Sequence, residues 1–155
     1  MDIEKIDLPE QHYIYVDRTA TFSGDEIAKA MESGFGEVFG FCAQHGIEGL
    51  AMPMAVYMEM PTGDRMAFRA AVFVSAENAA RAEGEVKAAT MPAGQAFKTT
   101  HVGPYMTLNQ THTAMWDHMA AQGIEKAMPV WEIYVDDPTT KPEAEVRTEV
   151  YRALA

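Results

Sequence analysis

Apolar residues recur along this chain at helical and strand spacings, and both patterns come twice in the same order. Ser23 and Glu26 stand in the S-x-x-E spacing of a reciprocal helix cap. Ile27, Ala30, Met31, Phe35, Val38, Phe39 and Cys42 then fall on one stripe, which predicts an amphipathic helix ending at Gly46. A β-rich segment, Tyr13 to Val16, precedes that helix. Two alternating runs, 53–60 and 65–74, follow it, joined through the turn signal Thr62-Gly63-Asp64. Further on, Gln95 to His101 reads as a strand and Pro104 fits a helix start. Leu108, Met115, Trp116 and Met119 make the stripe of that helix, and Gly123 ends it. Strands are predicted at 130–136 and 145–152, separated by a loop from Asp137 to Glu143 that contains Pro138 and Pro142.

The two runs also share letters. GIEGLAMPMAVYMEMP (46–61) reappears 77 positions later as GIEKAMPVWEIYVDDP (123–138), and FRAAVF (68–73) answers VRTEVY (146–151). More loosely, LPEQHYIYV (8–16) resembles MPAGQAFKT (91–99). A repeat found this way decides the architecture before any single element does. The expected fold is α+β: a duplicated βαββ unit, repeat one about 1–76 and repeat two about 84–155, in a single domain of residues 1–155. An antiparallel sheet would form a cradle, with two long helices packed behind it and a central groove at the pseudo-two-fold.

Alternation separates each strand into two faces. Met54, Val56, Met58 and Met60 share one side of the second predicted strand of repeat one, and Trp131, Ile133 and Val135 share one side of its counterpart. These apolar sets are expected against the helices. The other side would then collect Tyr57, Phe73, Tyr134 and Tyr151 with Glu132 and Glu149, acids that stand where repeat one has Ala55 and Ala71. Aromatic rings with a few carboxylates suit a flat, apolar or cationic ligand, since ring faces attract cations by about 0.5–2 kcal/mol each. The plain alternative is a solvated sheet face with Tyr tips and Glu heads in water.

Composition narrows the function classes. With 155 residues the chain can bury a core without staples. Twelve Lys and Arg against 23 Asp and Glu give a net charge of −11, which repels phosphate backbones and anionic membrane surfaces. No direct nucleic-acid binding and no membrane association are expected. The single Cys42 excludes an internal disulfide framework and every multi-cysteine zinc pattern. The acidic start MDIEKIDLPE has neither the basic nor the apolar region of an export signal, and the expected location is cytoplasmic.

The string HVGPY (101–105) followed by a Trp-containing helix, then MPVWEIYVDDP (128–138) and RTEVY (147–151), resembles the GyrI-like small-molecule-binding domain. That family is also known as the AraC-type effector-binding domain, within the SOUL-like superfamily. The resemblance covers nearly the whole chain, closely in the second half and mainly by layout in the first. It implies two βαββ halves around a ligand groove, with a groove acid near Glu132 or Glu149 and aromatic neighbours. Family members include drug-sensing domains of regulators, stand-alone binders of toxic compounds, a gyrase-inhibiting protein and hydrolases of cyclopropane-bearing antibiotics. The chain reads as a stand-alone member, without the regulators' DNA-binding segment.

Other candidate signals are weaker. Five histidines (12, 45, 101, 112, 118) show no metal-ligand spacing, so no metal and no cofactor are expected. His101, at the entry to the GPY turn, is expected to orient backbone. SGFGEVFG (33–40) has the wrong spacing for a phosphate loop and lies within the first helical stripe. Cys42 and Trp116 are expected in the core, Met54, Met58 and Met60 against the helices, and Met52, Met66 or Met106 are candidates for the groove.

Three functions follow. The leading one is binding of a small amphipathic or aromatic, including cationic, molecule between Tyr57, Phe73, Tyr134 and Tyr151, anchored by Glu132 or Glu149, in multidrug sensing or sequestration. The second is a cofactor-independent hydrolase of strained electrophiles, with Glu132 or Glu149 as general base and Tyr134 or Tyr57 donating to the oxyanion. The third is contact of the acidic surface with a basic protein partner. A monomer and a homodimer are both compatible with the sequence.

Overall fold

The computed structural model describes residues 2–49, 51–59, 63–124 and 128–154. Its strands are β1 (Glu4–Leu8), β2 (Gln11–Thr21), β3 (Met54–Tyr57), β4 (Arg65–Val74), β5 (Lys87–Met91), β6 (Gly94–Val102), β7 (Val130–Tyr134) and β8 (Arg147–Ala153). Its helices are α1 (Gly24–Gln44), the single turn α2 (Ala76–Ala79) and α3 (Leu108–Ala121), with short 3-10 turns at Tyr105–Thr107 and Glu143–Glu145. All strand pairings are antiparallel, in one eight-stranded sheet of order β1-β6-β8-β7-β3-β4-β2-β5. The α+β class with an antiparallel sheet is as the periodicities predict.

The two βαββ runs occupy opposite halves of that order, and they meet where β3 pairs with β7, Ala55 opposite Glu132. Edge strands β1 and β5 are additional to the expected eight elements. Both are short, polar on one side and without a strong alternation signal, and they form by extending the ladders of β6 and β2. Strand β2 runs eleven residues, far beyond Tyr13 to Val16, because it pairs with β4 along ten positions from His12↔Val74 to Thr21↔Arg65.

Helix α1 starts at the expected Ser23, but that side chain makes no capping hydrogen bond; Asp25 and Glu26 in the first turn face the positive end of the helix dipole instead. The helix ends where Gly46 takes a φ of 65°. Gly34, Val38, Phe41 and Cys42 are its buried positions. Gly34 is there for close approach: a Cβ at this position would lie 2.6 Å from the Ala70 Cβ of β4. Cys42 is a buried small hydrophobe, as expected, and the glycines of SGFGEVFG lie within the helix. Met60 and Thr62 lie outside the described residues.

Two cores flank the sheet. On the helix side, α1 packs on β2 and β4, against Ile14, Val16, Phe68, Ala70 and Val72, and Leu108, Met115 and Met119 of α3 pack on Phe97 and Val150. The other side carries a second cluster built from strand residues, among them Tyr13, Tyr15, Met54, Val56, Trp131 and Tyr151. Residues of both edges, Ile6 and Leu8 of β1 and Met91 of β5, join that one cluster. The sheet therefore curls so that the side away from the helices is concave and holds a core of its own.

This curl corrects the face assignment. The apolar sets Met54 and Val56, and Trp131 and Ile133, line the concave side, not the helix side. They fill a second core, whereas a solvated sheet face would have needed no hydrophobes. Met58 is exposed.

Candidate functional site

Because α1 packs mainly on β2 and β4 while α3 lies along β6, the two central strands, β3 and β7, lie below the gap between the helices. A cavity of about 670 Å³ opens there, between the two helices. Its floor is Tyr57 of β3 with Val130, Glu132 and Tyr134 of β7; Ile27 and Met31 of α1 form one wall, and Leu108, His112 and Trp116 of α3 the other. Phe22, Tyr105 and Met106, all large and exposed, lie at its margin, Met106 at 80%.

The polar centre is Glu132, only 4% exposed. Its Oε1 accepts from Tyr134 Oη at 2.7 Å and from Tyr57 Oη at 3.4 Å. Tyr134 Oη also lies 3.7 Å from Met31 Sδ, but its single proton belongs to the shorter, charge-assisted contact. Oε2 lies 2.5 Å from His112 Nε2, and on the far side of that ring Nδ1 lies 2.7 Å from Arg152 Nη2. A guanidinium can only donate. His112 Nδ1 is therefore the acceptor and the proton sits on Nε2, donated to Glu132. The geometry selects one neutral tautomer, and a buried chain runs from the Arg152 cation through a neutral imidazole to the Glu132 carboxylate.

Burial raises the hydroxyls of Tyr57 and Tyr134 well above the ordinary phenol range, and the Glu132 charge raises them further. Both therefore remain donors. Arg152 is buried and desolvation pulls it down to about 9, with Glu132 opposing that shift; it stays a cation at neutral pH. Its guanidinium carbon lies 3.3 Å over the Trp116 ring.

Three of the sequence candidates come together here, Tyr57, Glu132 and Tyr134. Phe73, Glu149 and Tyr151 do not. The register Ile133↔Glu149 and Trp131↔Tyr151 sets Glu149 and Tyr151 on the concave side, as Tyr13↔Phe73 does Phe73. Tyr151 stacks on Trp131 there at 5.1 Å, and its hydroxyl donates to Glu149, which also pairs with Lys98. Met66 and Met106 line the cavity; Met52 does not. Trp116, expected in the core, lines the cavity as well.

Sequence reasoning missed His112 and Arg152, although signals existed. His112 stands midway between Leu108 and Trp116 at four-residue steps, so it shares their helical face. Arg152 alternates in phase with Thr148 and Val150, the set that register places beside Glu132. His101 does orient backbone: Nε2 lies 3.1 Å from the Pro104 carbonyl, and Nδ1 2.7 Å from Thr111 Oγ1 on α3, which pins the GPY turn to the helix it launches. Among the described residues no group of three His, Cys, Asp or Glu is arranged to hold a metal ion, and no helix is long and apolar enough to cross a membrane.

An eight-stranded curled sheet with a carboxylate-floored cavity between two helices is an architecture that can enclose a small molecule. The GyrI-like small molecule binding domain model matches residues 1–155, and the chain belongs to that family. Among solved structures it is similar to the C-terminal domain of EcmrR, at 18% identity and a TM-score of 0.74, with 99% of this chain and 97% of that one covered. It is also similar to a hydrolase from Listeria innocua, at 18% identity and a TM-score of 0.67, with 99% and 92% covered. SAV2435, bound to tetraphenylphosphonium, is similar at 16% identity and a TM-score of 0.63, with 100% and 94% covered. At such identities the likeness is one of fold. No curated protein matches the sequence significantly.

Proposed function

We propose that the cavity takes up a small amphipathic, aromatic molecule, lipophilic cations included, and that Glu132 is its polar anchor, in a sensing or sequestering role. The observation that carries this reading is a buried carboxylate at the floor of a mostly apolar cavity, with three donors holding it in place. The rings of Tyr57, Tyr105 and Tyr134 supply stacking and cation–π surface around it. The fold shared with SAV2435, a protein seen with tetraphenylphosphonium, supports the ligand class. Glu149, Phe73 and Tyr151 have no part in this site. The charge of −11 argues against a phosphate backbone as partner.

Calorimetry with tetraphenylphosphonium tests the reading. Saturable binding to the native protein is expected, weakened about tenfold or more by Glu132→Gln, a loss of about 1.4 kcal/mol or more. Undiminished binding to a folded Glu132→Gln variant refutes the anchor.

A second reading is favoured by one contact, the 2.7 Å Tyr134–Glu132 hydrogen bond, and by likeness to a Listeria innocua protein described as a hydrolase. Here Glu132 takes a proton from water as it attacks a strained electrophile, and a tyrosine hydroxyl donates to the oxygen that gains charge. Turnover of a cyclopropane-bearing alkylator without added cofactor, abolished by Glu132→Gln and retained by Glu149→Gln, supports it. Turnover retained in both variants rejects it.

A further inference from the structure

Glu132 has its donors, but among the described residues the cation at the other end of the chain lacks part of its acceptors. Arg152 is 2% exposed, and among the described residues only Nη2 of its three guanidinium nitrogens is engaged, with His112 Nδ1 at 2.7 Å and, at 3.4 Å, the His112 carbonyl. Nε and Nη1 are buried without a hydrogen-bond partner among the described residues. A buried donor left unmatched costs about 1–3 kcal/mol, more on a charged group, and arginine is the side chain whose planar donors best match a carboxylate. Among the described residues no acid makes direct contact with Arg152, and the imidazole of His112 stands between it and Glu132. The depressed affinity of Arg152 for its proton fits the same picture of a charge desolvated more than it is compensated.

Arg152 and Trp116 both line the cavity, and the half-buried indole covers the guanidinium, its ring centre 3.3 Å from the guanidinium carbon. We infer that the cavity has a second polar pole, in which Arg152, uncovered by a shift of the Trp116 ring, binds a carboxylate carried by an aromatic ligand. This deepens the binding reading above and rests on it. Such an oxygen would touch the guanidinium directly, while a whole imidazole separates it from the Glu132 charge. Coulomb attraction, falling with distance, then outweighs the repulsion. The ligand class this defines is an aromatic acid, or a zwitterion whose cationic part faces Glu132 and whose carboxylate faces Arg152.

The test is a matched pair of fluorescent probes on one scaffold, 9-anthracenecarboxylate and 9-anthracenemethanol, titrated into the native protein with tetraphenylphosphonium as a reference ligand. The carboxylate is expected to bind at least tenfold more tightly than the alcohol. In Arg152→Met that ratio is expected to fall below threefold; Arg152→Gln serves the same purpose if the Met variant does not fold. Equal affinity of the two probes for the native protein, or a ratio that survives removal of the guanidinium, overturns the proposal. If tetraphenylphosphonium binds while the carboxylate has no advantage, the second pole alone is refuted. If none of the three binds, the binding reading falls with it.

Discussion

Replacing His112 by Leu tests whether the buried chain is held together by the imidazole. The substitution removes a hydrogen bond at 2.5 Å to the Glu132 carboxylate and one at 2.7 Å from the Arg152 guanidinium. Hydrogen bonds to charged groups contribute about 1.5–3 kcal/mol each, so the two together are worth about 3–6 kcal/mol. Leucine returns about 1 kcal/mol by covering apolar wall, and the cavity beside it admits water to Glu132 Oε2, which places the loss near the lower end, about 3 kcal/mol. For a domain of this size, each kcal/mol moves the melting temperature by about 2–4 °C, so a fall of about 6–12 °C is expected. Circular dichroism melts at neutral pH measure it. Adding Glu132→Leu to the His112→Leu protein removes the stranded acceptor. The double variant is then expected to lose less than the sum of the singles by more than about 1 kcal/mol. A His112→Leu melt within 2 °C of the native one, or strict additivity in the cycle, would refute the chain as described.

Two further predictions separate helix packing from ligand placement. Gly34→Ala puts a methyl 2.6 Å from Ala70 Cβ and is expected to destabilise the fold by about 1–3 kcal/mol, whereas Gly36→Ala, with open space around it, is expected to stabilise by about 0.5–1 kcal/mol; urea denaturation of both variants distinguishes steric contact from helix propensity. Glu149→Gln and Tyr151→Phe, on the concave side of the sheet, are each expected to leave tetraphenylphosphonium affinity within about twofold of native. A loss from either comparable to that of Glu132→Gln would put the ligand on the concave face and overturn the cavity assignment.

The fold class was legible because it depends on periods, and the periods of α1, α3 and the paired strands are strong. What could not be read was which side of each strand faces the helices. That depends on whether the helix-free side of the sheet is wet or closed, a property of the curl of eight strands together. In Trp131-Glu132-Ile133-Tyr134 the apolar letters look like the helix-facing set only if there is one core. With two cores, the concave one claims Trp131 and Ile133, and Glu132 and Tyr134 turn toward the helices. The same parity carries Thr148, Val150 and Arg152 to the cavity side and leaves Glu149 and Tyr151 behind, so one error in phase displaced half of the candidate site.

The position of Glu132 follows from where the helices are absent. Helix α1 sits over β2 and β4 and is drawn close by Gly34; α3 sits over β6. The central pair β3 and β7 lies below the gap between them, and there the side chain of Glu132 meets a cavity instead of a packed helix. Ala55, directly across the ladder from Glu132, is small enough to leave room for the carboxylate and its two tyrosine donors. A larger residue at Ala55 would have to displace one of them. The acid at 132 and the alanine at 55 thus act as one device, in which one central strand supplies the charge and the other the space around it.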